Sequence, residues 1–186
     1  PDGKVVKELR IDPIAKALSK IIKKKVKKLN DCVGQTVEKE INKMKDGEII
    51  FLENVRFHKE EEKNDVSFGK KLAKLADIFV NDAFASCFRA HVSTVGVAKL
   101  LPSYAGFLVE KEVKMLSPLL KKPARPLVLV VGGAKVDTKI GLLKNFFGKA
   151  DSILIGGALA NTFLAAEGYD IGASKYEPEK IVVAQE

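Results

Sequence analysis

The sequence predicts an α/β protein built on parallel strands, and three observations carry that expectation. Short apolar runs such as EIIFLEN, LVLVV and SILIG are bounded by turn residues. Between them lie longer stretches whose apolar residues recur at helical spacing, and strands separated by helices imply crossovers between parallel neighbours. Several strand candidates end in glycines or in polar residues, and open parallel sheets bind ligands beyond the carboxyl ends of their strands.

Taken in order, DPIAKALSKIIKK carries Ile14, Ala17, Leu18, Ile21 and Ile22 at helical spacing, with Asp12 expected as N-cap ahead of Pro13. VKKLN fits a short strand, and VGQTVEKEINKMK a second helix ended at Asp46-Gly47. EIIFLEN is a strand, followed by a polar loop, HKEEEKND. SFGKKLAKLA predicts a helix, and DIFVNDAF a short strand ending in polar residues. The stretch from Leu101 to Pro126 centres on one long helix over Ala105 to Leu120, with an apolar face through Phe107, Leu108, Val113, Leu116 and Leu119. Prolines flank that stretch, and KKPARP has the composition of a linker. The alternation then restarts with LVLVV, a helix from Ile140 to Phe147, the strand SILIG, and the helix ALANTFLAAEG closed by Gly168. A domain boundary is expected within or just after the long helix.

Composition excludes several classes. Among 186 residues, 46% are hydrophobic and 30% charged, which suits a soluble globular chain rather than a disordered one. No apolar run approaches the roughly 18 residues of a membrane span, and PDGKVVKELRIDPIAK lacks the apolar core of a secretory signal. Cys32 and Cys87 lie far apart without CxxC spacing or a histidine cluster, so neither a zinc site nor a disulfide framework is expected and a reducing cytoplasm is. The net charge of +8 resides partly in KIIKKKVKKLND. Such a run could grip nucleic-acid phosphates, but no aromatic residues interleave with the lysines, and a solvated helix end leading into a strand accounts for it.

Three strand ends carry the chemistry. Arg56 follows the strand in FLENVRFH, and Arg89 follows another in VNDAFASCFRAH. Guanidinium forks match carboxylate and phosphate geometry bidentately, so two such arginines suit a compact polyanion. Pairing with a nearby acid such as Glu53 or Asp82 is the competing explanation. The third end is VVGGAKVDTK, where Gly132 and Gly133 permit close backbone approach. A helix starting there would aim free N–H groups at an anion. Lys135 and Lys139, one turn apart, would fall on the same side of that helix start and could neutralise a triphosphate. The segment matches neither the Walker A loop nor the GxGxxG fingerprint. Gly156-Gly157 in LIGGALANTF could lie against a flat base or ribose, or simply make a tight turn. His58 and His91 have no recognisable Ser or Cys partner and are expected to be structural or peripheral.

Four segments, LENVRFHKEEEKND, VNDAF continuing to RAHVSTVGVAKLLPSYAGFLVEKE, VVGGAKVDTKIGLL and LIGGALANTFLAAEGYDIG, together resemble the phosphoglycerate kinase family over essentially the whole chain. The resemblance implies two Rossmann-like parallel-sheet domains joined by a long interdomain helix. Residues 1–103 would belong to the phosphoglycerate-binding domain, 104–121 to the helix and 122–186 to the nucleotide-binding domain. It implies reversible transfer of the γ-phosphoryl group of ATP to the carboxylate of 3-phosphoglycerate, a step of glycolysis, in a cytoplasmic monomer that binds neither nucleic acid nor membrane. Arg56 and Arg89 would receive the phosphoglycerate, Lys135 would sit by the transferring phosphoryl group, and Lys139 would hold nucleotide phosphates. Gly132, Gly133 and Ala134 would line the phosphate side, while Gly156 and Gly157 would face the adenosine. Mg-ATP or Mg-ADP would be the cofactor, with magnesium held through the nucleotide and no metal ligand from these residues.

Departures from the family pattern refine the expectation. Phe88 stands where the family usually has a histidine, before the arginine of RAH, and Asp137-Thr138 where many members have a small residue and then Asp. The family's first strand, with its substrate ligands, would lie ahead of Pro1, and no GGGD magnesium loop occurs within the sequence. Both domains are therefore expected to be incomplete, with a sheet deprived of an inner strand and its backbone edges exposed. The isolated chain is expected to be weakly active or inactive. A non-catalytic anion- or nucleic-acid-binding module derived from such a fold is the alternative; a dehydrogenase is disfavoured by the missing dinucleotide fingerprint.

Overall fold

The computed structural model describes residues 3–135 and 137–186, apart from the side chain of Asp137. Contacts divide the chain into two compact units, Pro1–Glu112 and Val113–Glu186.

The first unit contains α1 (Asp12–Ile22), β1 (Val26–Lys28), α2 (Gln35–Ile41), β2 (Ile49–Phe51), α3 (Lys59–Glu62), α4 (Val66–Ala73), β3 (Phe79–Asn81) and β4 (Ser103–Ala105). β1 lies parallel to β2, with Val26 opposite Ile49 and Lys28 opposite Phe51. β3 lies parallel to β4, with Phe79 opposite Ser103 and Asn81 opposite Ala105. The predicted parallel pairing is present, as two separate two-stranded sheets. Phe68, Val92 and Val97 form the buried centre, packed by Val33, Leu72, Phe79 and Leu101.

Local details depart from sequence expectation where a distant group intervenes. Asp12 is the first residue of α1 rather than its cap; Ile11 occupies the cap position without a side-chain bond. The Ile11 N–H instead donates to Oε1 of Glu53, at 3.2 Å, from 42 residues away. α2 ends at Ile41, well before Gly47, which makes its turn at φ 79°. The expected loop HKEEEKND contains the single turn α3, and Asp65 within it caps α4 by accepting the Phe68 N–H at 2.8 Å. Ser103–Ala105 forms a strand rather than opening the long helix, because Gly106 N–H pairs with the Asn81 carbonyl at 2.8 Å. The helix α5 (Phe107–Lys121) then starts under the Asp82 carboxylate, whose Oδ1 accepts from the Leu108 and Val109 N–H groups at 2.7 and 3.1 Å. A Cβ on Gly106 would come within 2.4 Å of that carboxyl, so only glycine fits under the cap.

Among the described residues α5 buries none, and Phe107 is 90% exposed, so the apolar face expected of it is uncovered. The division between the units falls within α5.

The second unit adds β5 (Val128–Gly132), α6 (Asp137–Phe146), β6 (Ser152–Gly156), α7 (Ala158–Ala166) and α8 (Ile181–Gln185). β5 and β6 are parallel, from Val128 opposite Ser152 to Gly132 opposite Gly156. Val131, Leu143 and Leu159 are buried together, with Leu129, Ile140, Ile153, Ile155, Phe163 and Val183 packed on them. Alternation puts Val128, Val130 and Leu154 on the other face of this sheet, where they are exposed.

A buried carboxylate organises the first unit. Glu53, 4% exposed, accepts from Arg10 Nη1 at 2.9 Å, Lys28 Nζ at 2.6 Å, and the Ile11 and Asn54 N–H groups. Burial alone would push its carboxyl up, but the Lys28 ammonium and the two backbone N–H groups hold it below the ordinary value. Lys28 is likewise raised: burial works against its charge, and Glu53 and Asp12 more than offset that. A depressed folded-state carboxyl contributes stability that is present above its unfolded value and is lost as pH falls through the folded one. Thermal melts should therefore show wild-type stability declining on acidification below about pH 4.5, with a shallower decline for Glu53→Gln. That variant should also be less stable at neutral pH, by about 3 kcal/mol, because Arg10 and Lys28 lose their buried counter-charge.

Candidate functional site

At the end of β2 the chain leaves Glu53 and makes one 3-10 turn, Val55–Phe57, opened by Asn54, whose Oδ1 accepts the Arg56 N–H at 3.1 Å. Glu53 is already occupied by Arg10 and Lys28, so it does not neutralise Arg56. The Arg56 guanidinium lies 3.8 Å from Glu62 and lines a cavity of about 260 Å³ together with His58, Lys59 and Lys63. Among the described residues, three cations around one carboxylate make this hollow positive, suited to an anion. Lys59 and Lys63 escaped the sequence analysis, although their four-residue spacing in HKEEEKND was a usable signal once that stretch is seen to turn as α3.

Arg89 follows the short turn Phe84–Ser86 beyond β3. Its carbonyl accepts Thr94 Oγ1 at 2.6 Å, and its guanidinium carbon stands 4.9 Å from the centre of the Phe88 ring. Phe88 is 78% exposed and offers Arg89 a cation–π contact. Asp82, the acid proposed to neutralise an arginine, caps α5 instead.

The histidines are held by carboxylates. His58 Nε2 lies 2.7 Å from Asp31 Oδ1, and its ring stacks on Phe68 with centres 4.9 Å apart. His91 Nδ1 is 3.8 Å from Glu61, a fully buried acid that also accepts both the N–H and the hydroxyl of Ser93. Asp31, Cys32 and His58 bring three potential metal-ligand atoms within 4.8 Å of one another. The Cys32 thiol, however, donates to the Glu53 carbonyl at 2.8 Å, and burial followed by the nearby acids pushes it up to about 12. A thiol that keeps its proton is a poor ligand, and the trio is accounted for by its own hydrogen bonds.

In the second unit both strands end in glycine at the same level, Gly132 opposite Gly156. The following glycines meet: the Gly133 carbonyl accepts the Leu159 N–H at 2.9 Å, which ties the first strand end to the first turn of α7. Gly157 adopts φ 68°, ψ −161°, and a Cβ there would lie 3.2 Å from the Gly133 oxygen. Both the torsion and the contact require glycine. Lys139 folds back over this junction, its Cε 3.5 Å from the Cβ position of Gly133. Gly132, Gly133, Gly156, Gly157 and Lys139 are thus gathered at the carboxyl ends of β5 and β6, beside the start of α6. Ala134 and Lys135 are exposed in the intervening loop, where the Lys135 carbonyl accepts Thr138 Oγ1 at 3.1 Å. α6 begins at Asp137, so Lys135 precedes the helix, and the same-side argument from helical spacing does not apply to the lysine pair.

A family model described as phosphoglycerate kinase matches residues 1–186. A phosphoglycerate kinase of Dictyoglomus turgidum is 54% identical over 179 residues, covering 96% of this chain and 45% of the relative. That of Moorella thermoacetica is 51% identical over 186 residues, covering 100% and 47%. Among solved structures, phosphoglycerate kinase from Coxiella burnetii superposes with a TM-score of 0.79 at 44% identity, over 100% of this chain and 46% of that one. The enzyme from Pyrococcus horikoshii gives 0.80 at 37% identity, over 88% and 42%. The chain spans about half the length of the curated relatives it matches. With a family match along its entire length and relatives at half identity or better, this chain belongs to the phosphoglycerate kinase family.

Proposed function

We propose that this chain forms part of a phosphoglycerate kinase, contributing a cationic wall for 3-phosphoglycerate and a glycine–lysine cradle for the phosphates of Mg-ATP or Mg-ADP. Residues up to Gly106 then serve the phosphoglycerate side, α5 (Phe107–Lys121) the interdomain helix and 122–186 the nucleotide side. The single observation that carries the proposal is the junction of Gly133 and Gly157 under Lys139. Bare backbone and one ammonium at paired strand ends suit a nucleotide phosphate, which needs close approach and charge neutralisation together.

In the reaction a carboxylate oxygen of 3-phosphoglycerate forms a bond to the γ-phosphorus, and the bond from that phosphorus to the bridging oxygen breaks to release ADP. Bound magnesium, carried by the nucleotide, supplies further neutralisation of phosphate charge. The work of this chain is positioning and electrostatics. Arg56, with Lys59 and Lys63 beside it, and Arg89 attract the acceptor; Lys139 orients the nucleotide phosphates, with Ala134 in the adjoining loop. Gly156 and Gly157 leave room for the adenosine, and Lys135 faces the charge that spreads over the transferring group. No residue of the chain is assigned to the metal. The setting proposed is a cytoplasmic monomer with small-molecule partners and no nucleic acid; among the described residues, no helix is long and apolar enough to cross a membrane.

Calorimetric titration with ADP tests the cradle: Lys139→Ala should weaken binding about tenfold, the loss of one charge-assisted contact, with an unchanged melting temperature. Equal affinity of the variant would remove Lys139 from the site. Titration with 3-phosphoglycerate should show Arg89→Ala losing most of the affinity. Phe88→Ala should change it by less than about fivefold, since an exposed cation–π contact is worth about 0.5–1 kcal/mol. In a coupled assay with ATP and 3-phosphoglycerate, the purified 186-residue chain should turn over weakly or not at all. Rates of about 1–100 per second, ordinary for kinases, would show that it needs nothing beyond itself. Salt-sensitive binding to DNA with no response to ADP would instead favour a non-catalytic module.

A further inference from the structure

One buried acid bridges the two parts of the cationic wall. α3 is a single turn with two faces: Lys59, Glu62 and Lys63 line the hollow around Arg56, while Glu61 turns inward and is 1% exposed. Its carboxylate grips one residue by both donors. Oε2 accepts the Ser93 N–H at 3.0 Å and Oε1 accepts the Ser93 hydroxyl, with His91 Nδ1 3.8 Å from that same Oε1. Ser93 lies on the turn Val92–Gly96, four residues beyond Arg89. Thr94, next in the chain, closes the stretch between them: its hydroxyl accepts the His91 N–H at 3.1 Å and donates to the Arg89 carbonyl at 2.6 Å.

We infer that Glu61 is a positioning residue for the acceptor: it holds the Arg89 loop against α3, so that Arg89 and the Arg56 hollow keep a fixed relation. The inference rests on the phosphoglycerate side of the proposed function. Packing alone does not account for an acid at this point. Buried Phe68, Val92 and Val97 already press the Val92–Gly96 turn into the core, and a carboxyl group costs more to bury than an apolar side chain. What a carboxylate adds is two acceptor oxygens for two donors on one residue. A glutamine has one such oxygen, and its amide NH2 would face the other Ser93 donor. The double grip therefore fixes the orientation of Ser93 as well as its distance and, through Thr94, the carbonyl of Arg89. Arg89 itself is exposed, and an arginine on a loose loop loses freedom when it seizes an anion; on a loop already held it loses less.

The test compares the wild-type 186-residue chain with Glu61→Gln, Arg89→Ala and the double variant, titrated with 3-phosphoglycerate by NMR chemical shifts, which follow weak binding. Glu61→Gln should weaken 3-phosphoglycerate binding about five- to tenfold and leave ADP affinity unchanged. In the Arg89→Ala background the same substitution should change 3-phosphoglycerate affinity by less than about twofold, because its effect passes through Arg89. The heteronuclear NOE of the Arg89 amide should fall in Glu61→Gln while the amides of β1 to β4 keep theirs. Ser93→Ala, which removes one of the two donors, serves if Glu61→Gln fails to fold, with the same direction and a smaller loss. Unchanged 3-phosphoglycerate affinity in folded Glu61→Gln overturns the inference. An equal loss with and without Arg89 overturns it too, since Glu61 would then act by some other route. If the wild-type chain does not bind 3-phosphoglycerate, the phosphoglycerate side of the proposed function falls, and the Arg89 amide decides alone: an unchanged NOE overturns the inference, and a fall confined to that loop upholds the hold of Glu61 on Arg89.

Discussion

The Glu53 carboxylate is the interaction on which the first unit turns. A buried anion is costly unless its lone pairs are filled, and here they are filled by groups from three places: Arg10 and Ile11 ahead of α1, Lys28 at the end of β1, and Asn54 at the start of the next turn. The Glu53 carbonyl in addition accepts the Cys32 thiol. One side chain thereby fixes where α1 begins, how β1 meets the turn beyond β2, and where that turn points. It also sorts the charges. Arg10 and Lys28 are committed to a structural anion, while Arg56, among the described residues, has its ion-pair contact with Glu62, at 3.8 Å, and lies beside Lys59 and Lys63. These five cations are thus divided between a neutralised interior, with Arg10 and Lys28, and a positive hollow, with Arg56, Lys59 and Lys63.

The second unit meets the same demand, a sharp exit from a parallel strand pair, by leaving side chains out. Gly157, at φ 68°, sits where a Cβ would crowd the Gly133 carbonyl, and the Leu159 N–H closes the junction. No charged side chain is spent on this junction, and Gly132 and Gly133 are exposed beside it. The contrast is informative about function. A strand end sealed by a buried carboxylate repels a polyanion from that spot and must place its arginine one turn further on; a strand end made of bare backbone can itself be the floor of an anion site.

What was legible in the sequence follows from the range of the interactions involved. Strand and helix alternation depends on neighbours within a few residues and was read from spacing and residue type, and the parallel pairing was inferred from that alternation; the meeting of Gly133 with Gly157, 24 residues apart, had no local signal. Asp12 was misassigned as a cap because the acceptor that serves Ile11 comes from Glu53, which no local pattern announces. The long helix was begun two residues early because the chain at Ser103–Ala105 is captured by β3, and its apparent apolar face was inferred from periodicity that the structure leaves uncovered. Lys59 and Lys63 were missed because HKEEEKND was read as a loop; a four-residue helix has too few apolar positions to show a period, so the spacing of the two lysines had no helix to attach to.

The two lysines beside the glycine junction are unlike each other, and the difference bears on how they would divide the work under the proposed function. Spacing alone treated them as a pair on one helix face. Lys139 lies within α6, is partly buried, and packs its stem along Gly133; Lys135 stands exposed ahead of the helix, its carbonyl taken by Thr138. An ammonium whose stem rests on a rigid glycine junction has little rotamer freedom left to lose on binding, so it suits charge that does not move, such as that on phosphates retained by the nucleotide. An exposed ammonium on a four-carbon stem can reorient its three donors, and that suits charge that develops and shifts during transfer. Under the proposed function, the positional asymmetry between Lys139 and Lys135 therefore becomes a division of labour between binding and the chemical step, one that a count of lysines beside glycines would never have separated.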